Sequence, residues 1–118
     1  TPLLGSIEQL RVATASADFV WCHDMFNHVD DIDRAASECA RILRPGGWLV
    51  LALGAGPALR HRSEWLGVEV DLDLVEHDPV HVRRVVADTG LTDLEWYLRG
   101  PLTAVGESSD RLYVIARR

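Results

Sequence analysis

Residues Ala17 to Leu53, ADFVWCHDMFNHVDDIDRAASECARILRPGGWLVLAL, leave this chain few folds to choose from. Asp18 to Cys22 is a compact apolar run with aromatic and β-branched residues, the composition of a strand covered on both faces. A short polar turn follows. Ile32, Ala35, Ala36, Cys39, Ile42 and Leu43 then recur at helical spacing and form one buried stripe, with Arg34, Glu38 and Arg41 on the opposite face. Arg34 and Glu38 stand four apart, an ion-pair spacing. Asp30, Asp31 and Asp33 supply an N-cap and first-turn negative charge suited to the helix dipole. Pro45-Gly46-Gly47 stops the helix, and Trp48 to Leu53 reads as a central parallel strand. This order describes a right-handed parallel crossover. Its polar turn falls at the carboxyl end of the first strand, where open α/β sheets bind ligands.

The rest of the chain continues the alternation. A short helix is expected around Ala58 to Leu66. Val68 to Leu74 alternates strictly, with Val68, Val70, Leu72 and Leu74 on one face and Glu69, Asp71 and Asp73 on the other, which suits a half-exposed strand or extended segment. Asp78-Pro79 opens a second helix with an N-cap acid and proline at the first helical position. Val82, Val85 and Val86 give that helix its buried face, and Gly90 its stop. Leu94 to Leu98 and Leu112 to Ala116 read as two further strands.

A chain of 118 residues is one domain at most. The net charge is −6, and all 12 basic residues are arginine. With no basic patch, neither nucleic acid nor an anionic membrane is expected as a partner. The absence of lysine removes Schiff-base chemistry. No run approaches the roughly 20 apolar residues of a membrane span, and no signal peptide is visible, so a cytoplasmic location is expected. Cys22 and Cys39, on a predicted strand and a predicted helix face, read as small core thiols rather than as a disulfide. The chain begins Thr1-Pro2 and its only methionine is Met25, so it reads as a piece of a longer product.

The aspartate-led strand Asp18-Phe19-Val20-Trp21, the turn Cys22-His23-Asp24-Met25-Phe26-Asn27-His28-Val29, the alanine-rich helix and Arg44-Pro45-Gly46-Gly47 together resemble the later half of the class I S-adenosylmethionine-dependent methyltransferases. Asp78-Pro79 through Gly90-Leu91 resembles the last helix of that family, and Leu112 to Arg117 its final antiparallel strand. The resemblance covers nearly the whole chain and implies an α/β, Rossmann-like methyltransferase fold in part. Strands 4-5-7-6 would be present with the last strand antiparallel, and the glycine-rich amino-terminal half would be missing. Residues 1–118 would then be the carboxyl-terminal portion of a single methyltransferase domain. The strand at residues 18–22 would be left with a bare edge, a pairing template through which a homodimer is conceivable.

The same resemblance implies S-adenosyl-L-methionine as cofactor, a small-molecule methyl acceptor and no metal. Gly5-Ser6-Ile7-Glu8-Gln9-Leu10 resembles the loop that closes over the adenine, with Ser6 where the family has aspartate, so Ser6, Ile7 and Glu8 are candidate cofactor contacts. Cys22 and His23 lie where the family's turn faces the methyl group. His28 and Asp24 are the candidate catalytic groups. A histidine titrates near working pH and can act as general base, or it can bond backbone and fix the turn. Asn27 reads as a turn stabiliser. The alternative function is a truncated or degenerate methyltransferase fold that serves as a non-catalytic interaction or dimerisation module.

Other motifs carry less. Gly54-Ala55-Gly56 follows a buried strand, as in dinucleotide-binding loops, but Leu59 stands where the third glycine belongs and Pro57 interrupts the turn. His77 and His81 are four apart, yet the helix starts between them, so they need not share a face for a metal. Glu69, Asp71 and Asp73 read as a solvated row. Trp65, Trp96 and Tyr97 read as core aromatics or as the lining of an apolar pocket.

Overall fold

The apolar run at residues 17–23 forms β1 (Ala17–His23), and the stripe-bearing segment forms α1 (Ile32–Ile42). Between them, residues 26–28 make one 3-10 turn. The strand after the helix, β2 (Leu43–Ala55), lies parallel to β1, so the crossover closes as its pattern requires. The computed structural model describes residues 7–29, 31–56, 59–65 and 68–118, the stretches 59–65 and 68–75 as backbone. Ser6 and Asp30 lie outside the described residues.

The N-cap of α1 is Asp31, whose carboxylate accepts from the Arg34 backbone N–H at 3.1 Å. That bond satisfies one of the four amide donors a helix start leaves open. Pro45-Gly46-Gly47 does stop the helix, but the segment is already part of β2. Ala17 pairs with Leu43 and Phe19 with Trp48, so the extra residues form an irregularity at the strand's entry. Gly46 takes φ +85° there, a conformation costly for a residue with a Cβ.

Beyond β2, the short helix expected around Ala58 to Leu66 is a strand instead. β3 (Leu59–Trp65) pairs antiparallel with β4 (Val68–Val75) in a separate two-stranded sheet. The physical reason lies in β4. Its alternating run presents a row of backbone donors and acceptors, and a hairpin satisfies that row where a lone short helix would not. α2 (Pro79–Asp88) begins as expected, with Asp78 accepting from Val80 N at 2.9 Å.

β5 (Thr92–Arg99) and β6 (Asp110–Arg117) complete a four-stranded sheet of order β1-β2-β6-β5. β6 is antiparallel to both neighbours. This is the expected 4-5-7-6 arrangement with its last strand reversed.

The two faces of the sheet differ. Leu49, Leu51 and Leu53 of β2, Leu112, Val114 and Ala116 of β6, and Cys22 of β1 pack with Ala35, Ala36 and Cys39 of α1 and Val82, Val85 and Val86 of α2. The alanines let α1 sit close to the sheet. On the opposite face, register aligns Phe19 with Trp48, Trp21 with Val50, and both rows with Arg117 and Ile115 of β6. No described element covers that face: Phe19 is 57% and Trp21 66% exposed.

Tyr97 stands on the open face at 58% exposure, and Trp96 is 43% exposed beneath the Arg83 guanidinium, 3.9 Å above its ring. Neither is the core aromatic their hydrophobicity suggested. Among the described strands β5 is the sheet's other edge, and its side chains have strand neighbours on one flank only.

The polar face of α1 is not simply solvated either. Arg41 donates to the carbonyls of Val12 and Leu10 and to Thr14 Oγ1, and Glu38 accepts from Leu10 N at 2.8 Å. The leading segment therefore runs along the helix on polar bonds. The Arg41 guanidinium beside Glu38 holds that carboxyl below its usual range.

Candidate functional site

The carboxyl ends of β1 and β2, the start of α1 and the loop from β5 into β6 all meet at one end of the sheet. β1 feeds that end through Asp24, whose N–H donates to Ala52 O at 2.7 Å and whose backbone is left-handed at φ +59°. Aspartate tolerates this conformation better than most side chains. The bond and the reversed φ turn the chain out of the sheet into the 26–28 turn.

Three side chains then hold the turn. Asn27 is buried and bonds the backbone of Gly54 twice: its Nδ2 donates to Gly54 O at 2.9 Å, and Gly54 N donates to its Oδ1 at 2.8 Å. His77, also buried, places Nε2 2.7 Å from Phe26 O and 3.1 Å from Val29 O. Both partners are carbonyls, so Nε2 must carry the proton and donate. Arg111, from the start of β6, brings Nη1 within 2.6 Å of Asp24 Oδ1.

The backbone beside the turn is equally fixed. His77 pairs with Ala55 as an isolated parallel bridge, and Gly56 N donates to His77 O at 3.1 Å. The buried Glu76 carboxylate presses its Oε2 onto the place a Gly56 Cβ would occupy. Here a Cβ would have to displace the Glu76 carboxylate, so close packing favours glycine at 56, and the Gly54-Ala55-Gly56 sequence needs no phosphate to explain it.

On the β6 side, Arg99 grips Glu107 through both guanidinium Nη atoms, at 2.7 and 3.1 Å, and also donates to Tyr113 Oη. Glu107 further accepts from Leu102 N. The Arg99 hydrogen bonds, then the Leu102 N–H, hold the Glu107 carboxyl down at about 2. The pair staples the 100–109 loop beside the turn.

The sequence-derived candidates are thus placed as follows. Asp24 is at the site but engaged by Arg111, with His23 Nδ1 3.8 Å from its other oxygen. His23 is exposed and meets Trp21 edge to face, ring centroids 6.2 Å apart. His28 is exposed on the 3-10 turn. The histidine that bonds backbone to fix the turn is His77, not His28. His77 spends Nε2 on two carbonyls, and His81 is exposed on α2.

Cys22 turns its thiol into the core, 3.8 Å from Cys39 Sγ, so only its backbone faces the turn. Ile7 is buried in the core, and Glu8 O accepts from Arg34 Nε in the first turn of α1, which brings residues 7 and 8 to the same end of the sheet. Arg111, Glu76 and Arg99 went unnoticed in the sequence. Arg111 and Arg99 owe their places to strand register, and Glu76 to the bridge that sets His77 beside Ala55, rather than to any local motif.

Residues 1–51 match the family described as a methyltransferase domain. The malonyl-[acyl-carrier protein] O-methyltransferase of Methylococcus capsulatus is 35% identical over 68 residues, covering 57% of this chain and 25% of that protein. The ubiquinone biosynthesis O-methyltransferase of Thiobacillus denitrificans is 30% identical over 115 residues, covering 86% of this chain and 50% of its own length. Among solved structures, an S-adenosylmethionine-dependent methyltransferase of Methanosarcina mazei superposes with a TM-score of 0.77 at 15% identity, over 97% of this chain and 65% of that one. The chain spans a quarter to a half of the length of these two curated relatives.

Proposed function

We propose that this chain, which is similar in part to methyltransferases, belongs to the class I S-adenosylmethionine-dependent methyltransferase family, and that the intact protein transfers a methyl group from S-adenosyl-L-methionine to a small-molecule acceptor. The chain then forms the later portion of a single methyltransferase domain. The observation that carries this reading is the turn at residues 23–28, locked by Asn27, His77 and Arg111 at the carboxyl end of a parallel strand pair.

The described residues fit one side of such a cofactor. Trp21 and His23 present an exposed aromatic edge beside the turn, a surface on which an adenine can stack or a sulfonium can sit. Ile7 and Glu8 reach the same end along α1. When bound, the cofactor supplies an electrophilic methyl for in-line displacement. The chain's own part is orientation and proton handling.

In this reading Arg111 holds the Asp24 carboxylate, and Asp24 in turn sets the direction of His23. His28, exposed on the 3-10 turn, takes the acceptor's proton. The curated relatives include two O-methyltransferases, named for malonyl-[acyl-carrier protein] and for ubiquinone biosynthesis, and one N-methyltransferase named for dimethylglycine, so both oxygen and nitrogen nucleophiles have support.

The test is methyl transfer by the gene product that contains this chain. Labelled S-adenosylmethionine is supplied with panels of carboxylate, phenol and amine acceptors. Transfer that His28→Ala abolishes while cofactor binding persists supports the reading. Failure of the intact protein to bind S-adenosylhomocysteine overturns it.

A second reading has its own observation. β1 pairs only with β2 among the described strands, and Phe19 and Trp21 stand exposed on it, so a second copy can add along that edge. A non-catalytic pairing module would be a concentration-dependent dimer that Val20→Pro disperses, with no cofactor affinity.

A further inference from the structure

Cys22 and Cys39 are the only sulfur pair in the chain, and the fold sets them face to face. Cys22 lies on β1 and Cys39 on α1, 17 residues apart, with their Sγ atoms 3.8 Å from each other. Both are buried and neither is in a disulfide. A disulfide bond is about 2.05 Å long, so the sulfurs need to approach by about 1.8 Å. The small residues Ala35, Ala36 and Ala40 beside Cys39 already keep the helix close to the strand.

We propose that Cys22 and Cys39 are an oxidation site of this protein, a dithiol that a hydroperoxide converts into a disulfide tying β1 to α1.

Two features separate the pair from ordinary core thiols. The first is polarity within the pair. The two sulfurs share one hydrogen-bond contact, which lowers the pKa of the Cys22 thiol against the opposing effect of burial, while the same contact and burial raise that of Cys39. Cys22 is also the less buried of the two, at 6% exposure against 0%, so it is the sulfur placed to react first as the nucleophile. The second is position. Among the described strands β1 pairs only with β2, and Cys22 sits between Trp21 and His23, both exposed, so local opening of this strand end admits a molecule as small as hydrogen peroxide.

The chemistry balances in two steps. The Cys22 thiolate attacks one peroxide oxygen; an S–O bond forms, the O–O bond breaks, and the departing hydroxide takes up a proton as water. This leaves a sulfenic acid. The Cys39 sulfur then attacks Cys22 Sγ; the S–S bond forms, the S–O bond breaks, and the hydroxide leaves with the Cys39 proton as a second water. Two electrons pass from the sulfurs to the peroxide. Because Cys22 directly precedes His23 and Asp24, the new bond pulls on the strand end that carries the candidate site.

Tryptic peptide mapping tests this, because cleavage after Arg34 places Cys22 in Val12–Arg34 and Cys39 in Ala35–Arg41. The native gene product is treated with a small excess of hydrogen peroxide, quenched, alkylated under denaturing conditions and digested without reductant. The expected result is the two peptides joined, two hydrogens lighter than their sum and separated by dithiothreitol. The same dose in urea should give several-fold less of the joined species.

Cys39→Ser should halt Cys22 at sulfenic acid or drive it to sulfinic acid, whereas Cys22→Ser should leave Cys39 unoxidised. Both peptides fully alkylated after native treatment would overturn the proposal. So would sulfinic acid at Cys22 with Cys39 still free in the unsubstituted protein.

Discussion

Arg111 Nη1 lies 2.6 Å from Asp24 Oδ1, and this contact joins the first residue past β1 to the start of β6. Arg111 sits opposite Gly54 in the register of β2 with β6, and opposite Arg99 in that of β5 with β6. The pair therefore fastens the left-handed Asp24 to the far strand.

Replacing Asp24 by alanine removes the anion and puts a β-carbon with no polar anchor at φ +59°. The expected loss of stability is about 1–3 kcal/mol. Asp24→Asn, which keeps the tolerance for that backbone and a short polar group, should lose less than half as much. Urea unfolding of both variants checks the order, and equal losses would mean the charge alone matters.

Asn27→Ala strips both bonds from Gly54 and leaves a buried N–H and C=O without their partner. A cost of about 2–4 kcal/mol is expected, at roughly 1–3 kcal/mol per orphaned group with partial relaxation. Amide hydrogen exchange at Gly54 should rise more than at Leu51, which lies in the middle of the same strand.

His77→Phe keeps a ring of similar size but removes the donor to Phe26 O and Val29 O. About 1–3 kcal/mol of destabilisation is expected, concentrated in the 26–28 turn. His28→Phe, at an exposed position, should stay within about 0.5 kcal/mol of the parent protein. Chemical denaturation of the two variants side by side distinguishes the structural histidine from the free one.

Gly56→Ala forces a methyl group into the Glu76 carboxylate. Overpacking of this kind costs about 1–3 kcal/mol. Adding Glu76→Ala should recover part of that loss, a coupling a double-mutant cycle reads directly. Strict additivity of the two changes would show that the contact is not the cause.

The Arg99–Glu107 pair makes a prediction about acid. The Glu107 carboxyl titrates at about 2 in the folded chain, against roughly 4.3 for an unperturbed glutamate. A depressed folded value means that the unfolded state binds the proton first as pH falls. The pair's contribution is therefore full above about pH 4.3 and is lost as pH drops towards 2. Glu107→Gln should flatten the acid dependence of stability in that window and leave the neutral-pH slope unchanged.

Much of this fold could be read from local pattern. The apolar run at 18–22, the α1 stripe, the Asp31 and Asp78 caps and the Val82, Val85, Val86 face each report what a backbone segment does with its nearest neighbours, and each was found where expected. The 59–65 segment failed because its hydrogen bonds go to β4, a partner that no periodicity in Leu59 to Trp65 reveals. Trp96 and Tyr97 failed because hydrophobicity does not say whether a strand lies at an edge.

The candidate site divides in the same way. The sequence by itself determined that a polar turn with Asp24, Asn27 and His28 would sit at the end of a strand, since that follows from short-range order along the chain. Only the tertiary structure decided which groups hold that turn. Arg111, His77, Gly54 and the Glu76 packed on Gly56 arrive from β6, from the chain leading into α2 and from β2. Sheet register sets those meetings, and register is settled by the packing of whole faces rather than by any one residue's neighbours.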